Sequence, residues 1–447
     1  MKKRTYKRSS VKEVSVDWLR DRACSLGDAG TTVGLDIAKH EIVACVRWSN
    51  GEFERPWNVR NPTEIGLLVE LLVHLKEVCD GLTIGLESTG TYSDAVRKAM
   101  TDAFLEVHRI NGKSVSDYKE IFDGVPSQHD GKDAAMIAEL TAFQKGTPWP
   151  YAPDSEELQA MRHQVHRMDA FRLQANSWMC RLEGLLARHW PEVTSLLKLN
   201  SKTLLRLLLT YGSPAALVRD PEAAKQLRSW GRGQLKHAKI DLVLNSARST
   251  AGLPVSGSEQ QWIQEIALEV LNALEQVEQC EKALRQMASI QPEMKPYVKA
   301  VGAVTLCVIW VTVGDPRKYN SAGAFLKALG LNLKELSSGK RKGELGIAKR
   351  GPGLARKWLY YWALRGVQGS ELRGCYQEFQ KVGRQGSTAK SSEHRKMKGL
   401  IAMMRKLCRS LWHTMRHDLE FDYSKVFPGE PLPPPPQPVQ CKAVVES

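Results

Sequence analysis

Apolar residues follow two rhythms along this chain: short runs in its first third, and long stripes at three- and four-residue steps beyond it. The runs Thr32–Ile37, Glu41–Trp48 and Glu52–Val59 predict three strands, with the turn Ser49-Asn50-Gly51 between the second and third. Asn61-Pro62-Thr63-Glu64 opens an apolar helix through Leu75. Leu82–Glu87 predicts a fourth strand, Ser93–Met100 a helix and Phe104–Ile110 a fifth strand, and a helix carrying Asp133 and Met136 closes the unit. After the break Gly146-Thr147-Pro148-Trp149-Pro150 the pattern turns helical. Leu158, Met161, Val165, Met168, Ala175, Met179, Leu182 and Leu186 form one stripe, with Arg172 filling its missing step. Ile263, Ile266, Val270, Leu274, Val277, Leu284 and Met287 form another, with Cys280 or Glu281 at the intervening step. Such stripes predict antiparallel helical-hairpin or coiled-coil surfaces, packed within one chain or between copies. Residues 200–255 between them are basic and irregular.

From about residue 294 the small-residue turn Ala300–Thr305 feeds an apolar helix, and Ser321 caps a helix over Ala322–Leu329. A loop is expected over Gly330–Gly343, and Lys349-Arg350-Gly351-Pro352-Gly353 precedes a helix over Leu354–Gly366. The division that follows is a basic, flexible lead-in (1–30), an α/β domain (31–148), a helical spacer (149–293), a mostly helical C-terminal domain (294–420) and an extended Pro-rich tail (421–447). Three strands, helix, strand, helix, strand, helix is the order of a ribonuclease-H-like domain. In that arrangement the first and fourth strands are neighbours.

Four carboxylates gain meaning from that order. Asp36 lies in the first strand, Glu87 ends the fourth, and Asp130 and Asp133 share a face at i,i+3 spacing at the start of the closing helix. Singly, each has an ordinary reading as a turn residue, and Asp130 as a helix cap. Together they are the hard-oxygen donor set that divalent cations need, and two such ions can activate the attacking oxygen and stabilise the leaving oxygen of a phosphodiester.

Composition agrees with a polyanionic partner. The chain has a formal net charge of +15 over 447 residues, which favours nucleic acid without distinguishing DNA from RNA. Its nine cysteines contain no C-x-x-C pair, so neither a zinc site nor a disulfide framework is indicated, and a reducing cytoplasm is the expected location. The basic first residues precede no apolar run of a secretory signal, and no stretch reaches transmembrane length. Within Ser337-Ser338-Gly339-Lys340-Arg341-Lys342, a small hydroxyl residue beside Gly and three cations suits phosphate handling, and Lys349 and Arg350 repeat the theme. By sequence physics alone Ser338 reads as a loop serine, since nothing local activates its hydroxyl. Arg162, His163, His166 and Arg167 cluster on one helix, as a solvated face or as phosphate contacts.

The chain resembles transposases of the insertion-sequence-110 family, the DEDD transposases. The resemblance rests on Gly34-Leu35-Asp36-Ile37-Ala38-Lys39, Glu87-Ser88-Thr89-Gly90-Thr91-Tyr92 and Asp130-Gly131-Lys132-Asp133-Ala134 in the first block. In the second it rests on Ser321–Leu331, Ser338-Gly339, Lys349-Arg350-Gly351 and Met403-Met404-Arg405-Lys406-Leu407. It implies a RuvC-like nuclease domain, a helical spacer and a C-terminal transposase domain. It further implies that Asp36, Glu87, Asp130 and Asp133 bind Mg²⁺, and that a nucleophilic serine falls on Ser338, with Ser337 adjacent. The implied activity is recombination of a mobile element with target DNA, guided by an element-encoded structured RNA, in a homo-oligomer (dimer or tetramer) whose catalytic parts come from different protomers. The alternative is a Holliday-junction-resolvase-like nuclease that uses only carboxylate-bound metals and water. The chain departs from the family at Lys299-Ala300-Val301-Gly302, where a Pro-Gly-x-Gly turn is usual, and at Gln128-His129, where Lys-Thr is usual.

Overall fold

The apolar runs of the first third pair into one mixed sheet. The computed structural model describes residues 8–26, 30–79, 81–87, 90–124, 129–338, 341–369, 372–382 and 392–426; the Pro-rich stretch lies outside them. Of the segment expected to be an extended tail, residues 421–426 are described and are not extended, since Tyr423–Val426 is helical and Phe421 and Val426 are buried in the core. Two compact units result, Met1–Asp154 and Ser155–Ser447.

In the first unit the strands are β1 (Ser9–Ser10), β2 (Thr32–Ile37), β3 (Glu41–Arg47), β4 (Trp57–Arg60), β5 (Thr83–Glu87), β6 (Glu106–Ile110) and β7 (Thr147–Pro148). Their spatial order is β1-β4-β3-β2-β5-β6-β7. β2 is antiparallel to β3 and parallel to β5, with Gly34 opposite Gly85 and Leu35 opposite Leu86. The first and fourth predicted strands are therefore neighbours, as the element order requires. The helices are α1 (Val16–Leu26), α2 (Ile65–Val78), α3 (Asp94–Asp102), α4 (Gly112–Asp123) and α5 (Asp130–Ala142). Leu68, Leu72 and Leu75 of α2, Leu19 of α1 and Val96 of α3 join Val33, Leu35 and Ile84 in one core; Ala134, Met136 and Ile137 of α5 pack with Val43, Cys45 and Ile110 in another.

Three expectations change here. The third strand is shorter than Glu52–Val59, because only Trp57–Arg60 pairs with β3 while Phe53 makes an isolated bridge to Arg47. Residues 8–26 are structured rather than flexible: Ser9 and Ser10 pair with Trp57 and Asn58, and α1 buries Leu19 and Ala23. The unpredicted α4 starts at an Asn111 cap, whose side chain accepts from the Lys113 N–H.

In the second unit, α6 (Glu156–His189) and α12 (Gly257–Ile290) form a long hairpin. They run antiparallel, with His189 beside Glu259 near one end and Arg172 paired with Glu281 farther along. Between them in sequence come α7 (Val193–Leu196), α8 (Lys202–Tyr211), α9 (Pro214–Arg219), α10 (Ala223–Trp230) and α11 (His237–Arg248). They gather Leu204, Leu208, Leu227 and Val243 around Leu182, Leu186, Ile263 and Ile266, so the irregular basic segment is a cap on the hairpin. Then follow α13 (Val298–Val301), α14 (Ala303–Val313), α15 (Ala322–Ala328), the strands β8 (Leu333–Ser338) and β9 (Arg341–Ile347), and α16 (Gly353–Gln368), α17 (Arg373–Val382), α18 (Ser392–Arg416) and α19 (Tyr423–Val426). α14 is apolar all round and buried, the signature of a central core helix. Leu306, Val308 and Ile309 share a core with Met161, Val165 and Met168 of α6 and with Leu407 and Leu411 of α18. Among the described residues no single helix is long and apolar enough to cross a membrane.

The loop expected over Gly330–Gly343 is instead the antiparallel hairpin β8–β9, in which Leu333 opposes Ile347 and Ser338 opposes Arg341. Its base is anchored where the Lys349 N–H donates to the Gly330 carbonyl at 3.0 Å and the Ala348 N–H to the Asn332 carbonyl at 2.8 Å. Gly330 (φ +69°) and Gly351 are required there, because a Cβ on either would press on the backbone of the other segment.

Candidate active site

Adjacent parallel strands bring two of the four carboxylates together. Leu35 and Leu86 are in register, so Asp36 and Glu87 leave the same end of β2 and β5. α5 crosses that end on a cushion of glycine. A Cβ at Gly34 would overlap the Ala134 carbonyl and the Ala138 nitrogen, and one at Gly85 would overlap the Thr141 side chain. Thr32 Oγ1 donates to the Ala138 carbonyl at 2.9 Å, and Arg47 pairs with Glu139, fixing the helix along the sheet. This contact brings Asp130 and Asp133, on the first turn of α5, to the strand ends. The cap of α5 is His129, whose Nδ1 accepts from the Gly131 N–H at 3.1 Å. Asp130 is therefore not needed as the cap, and its reading as one is set aside.

The four groups feel one another. Burial, followed by the charges of Asp133, Asp130 and Glu87, pushes the Asp36 carboxyl up to about 6, with Lys119 opposing. Burial and Asp133 raise Glu87 as well, again against Lys119. Two cations moderate the repulsion. Lys119 Nζ of α4 lies 2.5 Å from Asp133 Oδ1, and Arg8 Nη2 lies 2.5 Å from Asp130 Oδ2 while its Nη1 reaches Glu41 at 3.1 Å. Glu87 sits against the first residue of α4, where a Cβ on Gly112 would collide with its carboxylate.

Arg8, Gly112 and Lys119 are absent from the sequence-based site. The signal for Lys119 lies in α4: after the Asn111 cap, Val115, Tyr118 and Phe122 recur at helical spacing, and Tyr118 and Phe122 pack edge-on against Phe143 and Phe53. Arg8 has no comparable signal, since it reaches Asp130 across 122 positions of sequence.

The donor chemistry fits a hard divalent cation: carboxylate oxygens whose mutual repulsion calls for positive charge. Among the described residues, however, no group of three or more His, Cys, Asp or Glu side chains converges closely enough to hold an ion. Arg8 and Lys119 supply the compensating charge in this arrangement.

Of the C-terminal residues, Ser338 ends β8 beside a register irregularity after Leu336. The side chains of Ser338, Arg341 and Lys342, and all of Lys340, lie outside the described residues. Lys349 (φ +57°) and Arg350 form the turn between β9 and α16. Arg162 and Arg167 make contacts within the helical unit: Arg162 Nη1 approaches the Val311 carbonyl at 3.4 Å, and Arg167 Nη2 donates to Gln276 Oε1 at 3.0 Å.

Residues 33–191 match a family model for DEDD transposases of the IS110 type, and residues 297–377 match the model described as a transposase of the IS116/IS110/IS902 family. No curated protein matches the chain. The two matches, in this order along one chain, place it in the insertion-sequence-110 family of transposases, enzymes that cleave and rejoin DNA.

Proposed function

We propose that the chain recombines an insertion sequence with its target DNA through a Mg²⁺-dependent reaction in which Ser338 is the nucleophile, guided by an element-encoded structured RNA and carried out by a homo-oligomer. The observation that supports the metal-dependent part is the placing of the acids at the ends of β2 and β5, where burial first, and then the charges of Asp133, Asp130 and Glu87, raise Asp36 to about 6. The order β4-β3-β2-β5-β6 supports the ribonuclease-H-like reading of the first unit. Asp36, Glu87, Asp130 and Asp133 would hold the ions in place of their contacts to Lys119 and Arg8. Bound there, Mg²⁺ supplies Lewis-acid stabilisation of charge developing on phosphate oxygens.

The Ser338 hydroxyl loses its proton and attacks phosphorus. A phosphoserine bond forms, the bond from phosphorus to one DNA oxygen breaks, and that oxygen takes up a proton. A hydroxyl of the second DNA then attacks the phosphoserine, restoring the serine and joining the strands. Lys340, Arg341, Lys342, Lys349 and Arg350, clustered by sequence at the hairpin and the turn after it, would hold backbone phosphates. Arg162 and Arg167 are weaker candidates because their guanidinium groups contact other parts of the helical unit.

The test is covalent trapping. Protein, Mg²⁺, junction DNA and RNA transcribed from the element's flanks are mixed, denatured and resolved on a gel. An adduct kept in Ser337→Ala and lost in Ser338→Ala is expected. Cleavage without any adduct would overturn the serine and favour the water-using nuclease.

A further inference from the structure

A short strap at the edge of the first unit reaches into the acid cluster. Ser9 and Ser10 (β1) pair with Trp57 and Asn58 of β4, and β1 is the outermost strand of the sheet. The Ser9 N–H donates to the Pro56 carbonyl at 3.0 Å. Ser10 then caps the single helical turn Val11–Glu13: its hydroxyl accepts from the Lys12 N–H, and the Glu13 carboxylate accepts from the Ser10 N–H. Val11 is buried in the core, and Lys12 Nζ lies 3.1 Å from Oε1 of the buried Glu64. These anchors hold residues 9–13 on the sheet and deliver the Arg8 side chain to the site.

Arg8 bridges two acids of different standing. Its Nη2 lies 2.5 Å from Oδ2 of Asp130, one of the four site acids, and its Nη1 lies 3.1 Å from Oε2 of Glu41, which starts β3 and is outside that set. The other cation of the site is held differently. Lys119 projects from the body of α4, and its partner Asp133 is only 20% exposed. Asp130 is 54% exposed, and Arg8 precedes a strand of two residues. A solvated ion pair of this kind is weak and exchanges readily. Because a guanidinium presents its donors as a fork, one nitrogen can stay on Glu41 while the other lets go of Asp130.

We infer that the strap is a counter-ion gate on the metal centre: Arg8 competes with the divalent cation for Asp130, and Glu41 holds the guanidinium once the cation has taken that oxygen. The inference rests on the metal-binding reading of the four acids and adds their regulation. Carboxylate oxygen can be claimed by the guanidinium or coordinated by the ion, so Arg8 sets the concentration at which the ion enters. Glu41 gives the gate its signature. Removing Arg8 frees Asp130. Removing the Glu41 charge leaves Arg8 to Asp130 and tightens the gate, so the Glu41 effect exists only while Arg8 is present.

The experiment is Mn²⁺ binding to the full-length protein at pH 8 without nucleic acid, followed by the electron paramagnetic resonance signal of the free ion. Arg8→Gln should bind about five-fold more tightly than the wild type, the worth of an exposed ion pair beside a divalent charge. Glu41→Gln should bind more weakly than the wild type, and adding it to Arg8→Gln should change nothing further. Equal affinity of the wild type and Arg8→Gln overturns the gate. So does weaker binding in Arg8→Gln, which would make Arg8 a support of the site. An equal loss from Glu41→Gln with and without Arg8 overturns it too, because Glu41 then acts as a general charge. Asp36→Asn separates the gate from the reading beneath it. If Asp36→Asn weakens Mn²⁺ binding while Arg8→Gln matches the wild type, the metal site stands and the gate falls. If Asp36→Asn binds as tightly as the wild type, the acids are not the metal site and both fall. Thermal melting of each variant in EDTA, followed by circular dichroism, confirms that it is folded.

Discussion

At the scale of single residues, the carboxylate cluster costs the fold stability. The folded-state value of Asp36, about 6, lies above the ordinary 3.8, so the native state favours the neutral acid. The sign follows: below pH 3.8 the group costs nothing, the penalty to the fold grows as pH rises from 3.8 to about 6, and above 6 it is fully present. The shift corresponds to about 3 kcal/mol before screening, and partial exposure reduces the expected effect to about 1–2 kcal/mol. Metal-free Asp36→Asn should therefore be more stable than the wild type by that amount at pH 8, with the gain shrinking toward pH 5, as measured by urea unfolding in EDTA. Added Mg²⁺ should stabilise the wild type and leave the variant unmoved. Equal stability of the two proteins at pH 8 would show that the charges do not couple as the geometry indicates. Strand ends and an i,i+3 pair made the four acids legible in sequence. Their cations were not, because Lys119 sits in an unpredicted helix and Arg8 in a segment read as flexible.

At the scale of elements, two glycines opposite each other on β2 and β5 decide where α5 rests. The obstacle at Gly34 is the helix backbone, whereas at Gly85 it is the ends of the Thr141 and Ile137 side chains. Side chains yield more readily than backbone. Gly34→Ala should cost about 3 kcal/mol and Gly85→Ala about 1 kcal/mol in denaturant unfolding, overpacking penalties at the two ends of the usual range. DNA cleavage should fall further in Gly34→Ala, because lifting α5 carries Asp130 and Asp133 away from Asp36. The reverse ranking would mean that the helix is not seated on the strand backbone. Elements with continuous apolar runs, such as β2, β3 and α2, could be read directly from sequence. The hairpin β8–β9 could not, since Leu333 and Leu345 are 42% and 52% exposed and, among its described side chains, Ile347 alone packs against the core. The polar interruptions of the two long stripes had a use that only pairing reveals: Arg172 meets Glu281, while Cys280 keeps the buried step.

At the scale of the whole molecule, the sequence rhythm separates a helical spacer from a C-terminal domain, but the packing runs through that boundary. Met161, Val165 and Met168 of α6 and Val277 and Leu284 of α12 are buried with Leu306, Val308 and Trp362 from beyond residue 294. The other half of the α6–α12 hairpin has its own cover, α7–α11. Periodicity reports which face of a helix is apolar and not which neighbour covers it, so a boundary drawn from pattern alone falls inside a shared core. A fragment of residues 149–293 leaves half of its hairpin without a partner, and a fragment of 155–426 does not. In urea the longer fragment should unfold in one cooperative step. The shorter should keep the α7–α11 end folded, lose protection from hydrogen exchange over 156–172 and 276–290, and associate with concentration as its apolar stripe is exposed. Uniform protection along the whole hairpin of the short fragment would show that the spacer is an independent domain and that the shared core contributes little to holding it.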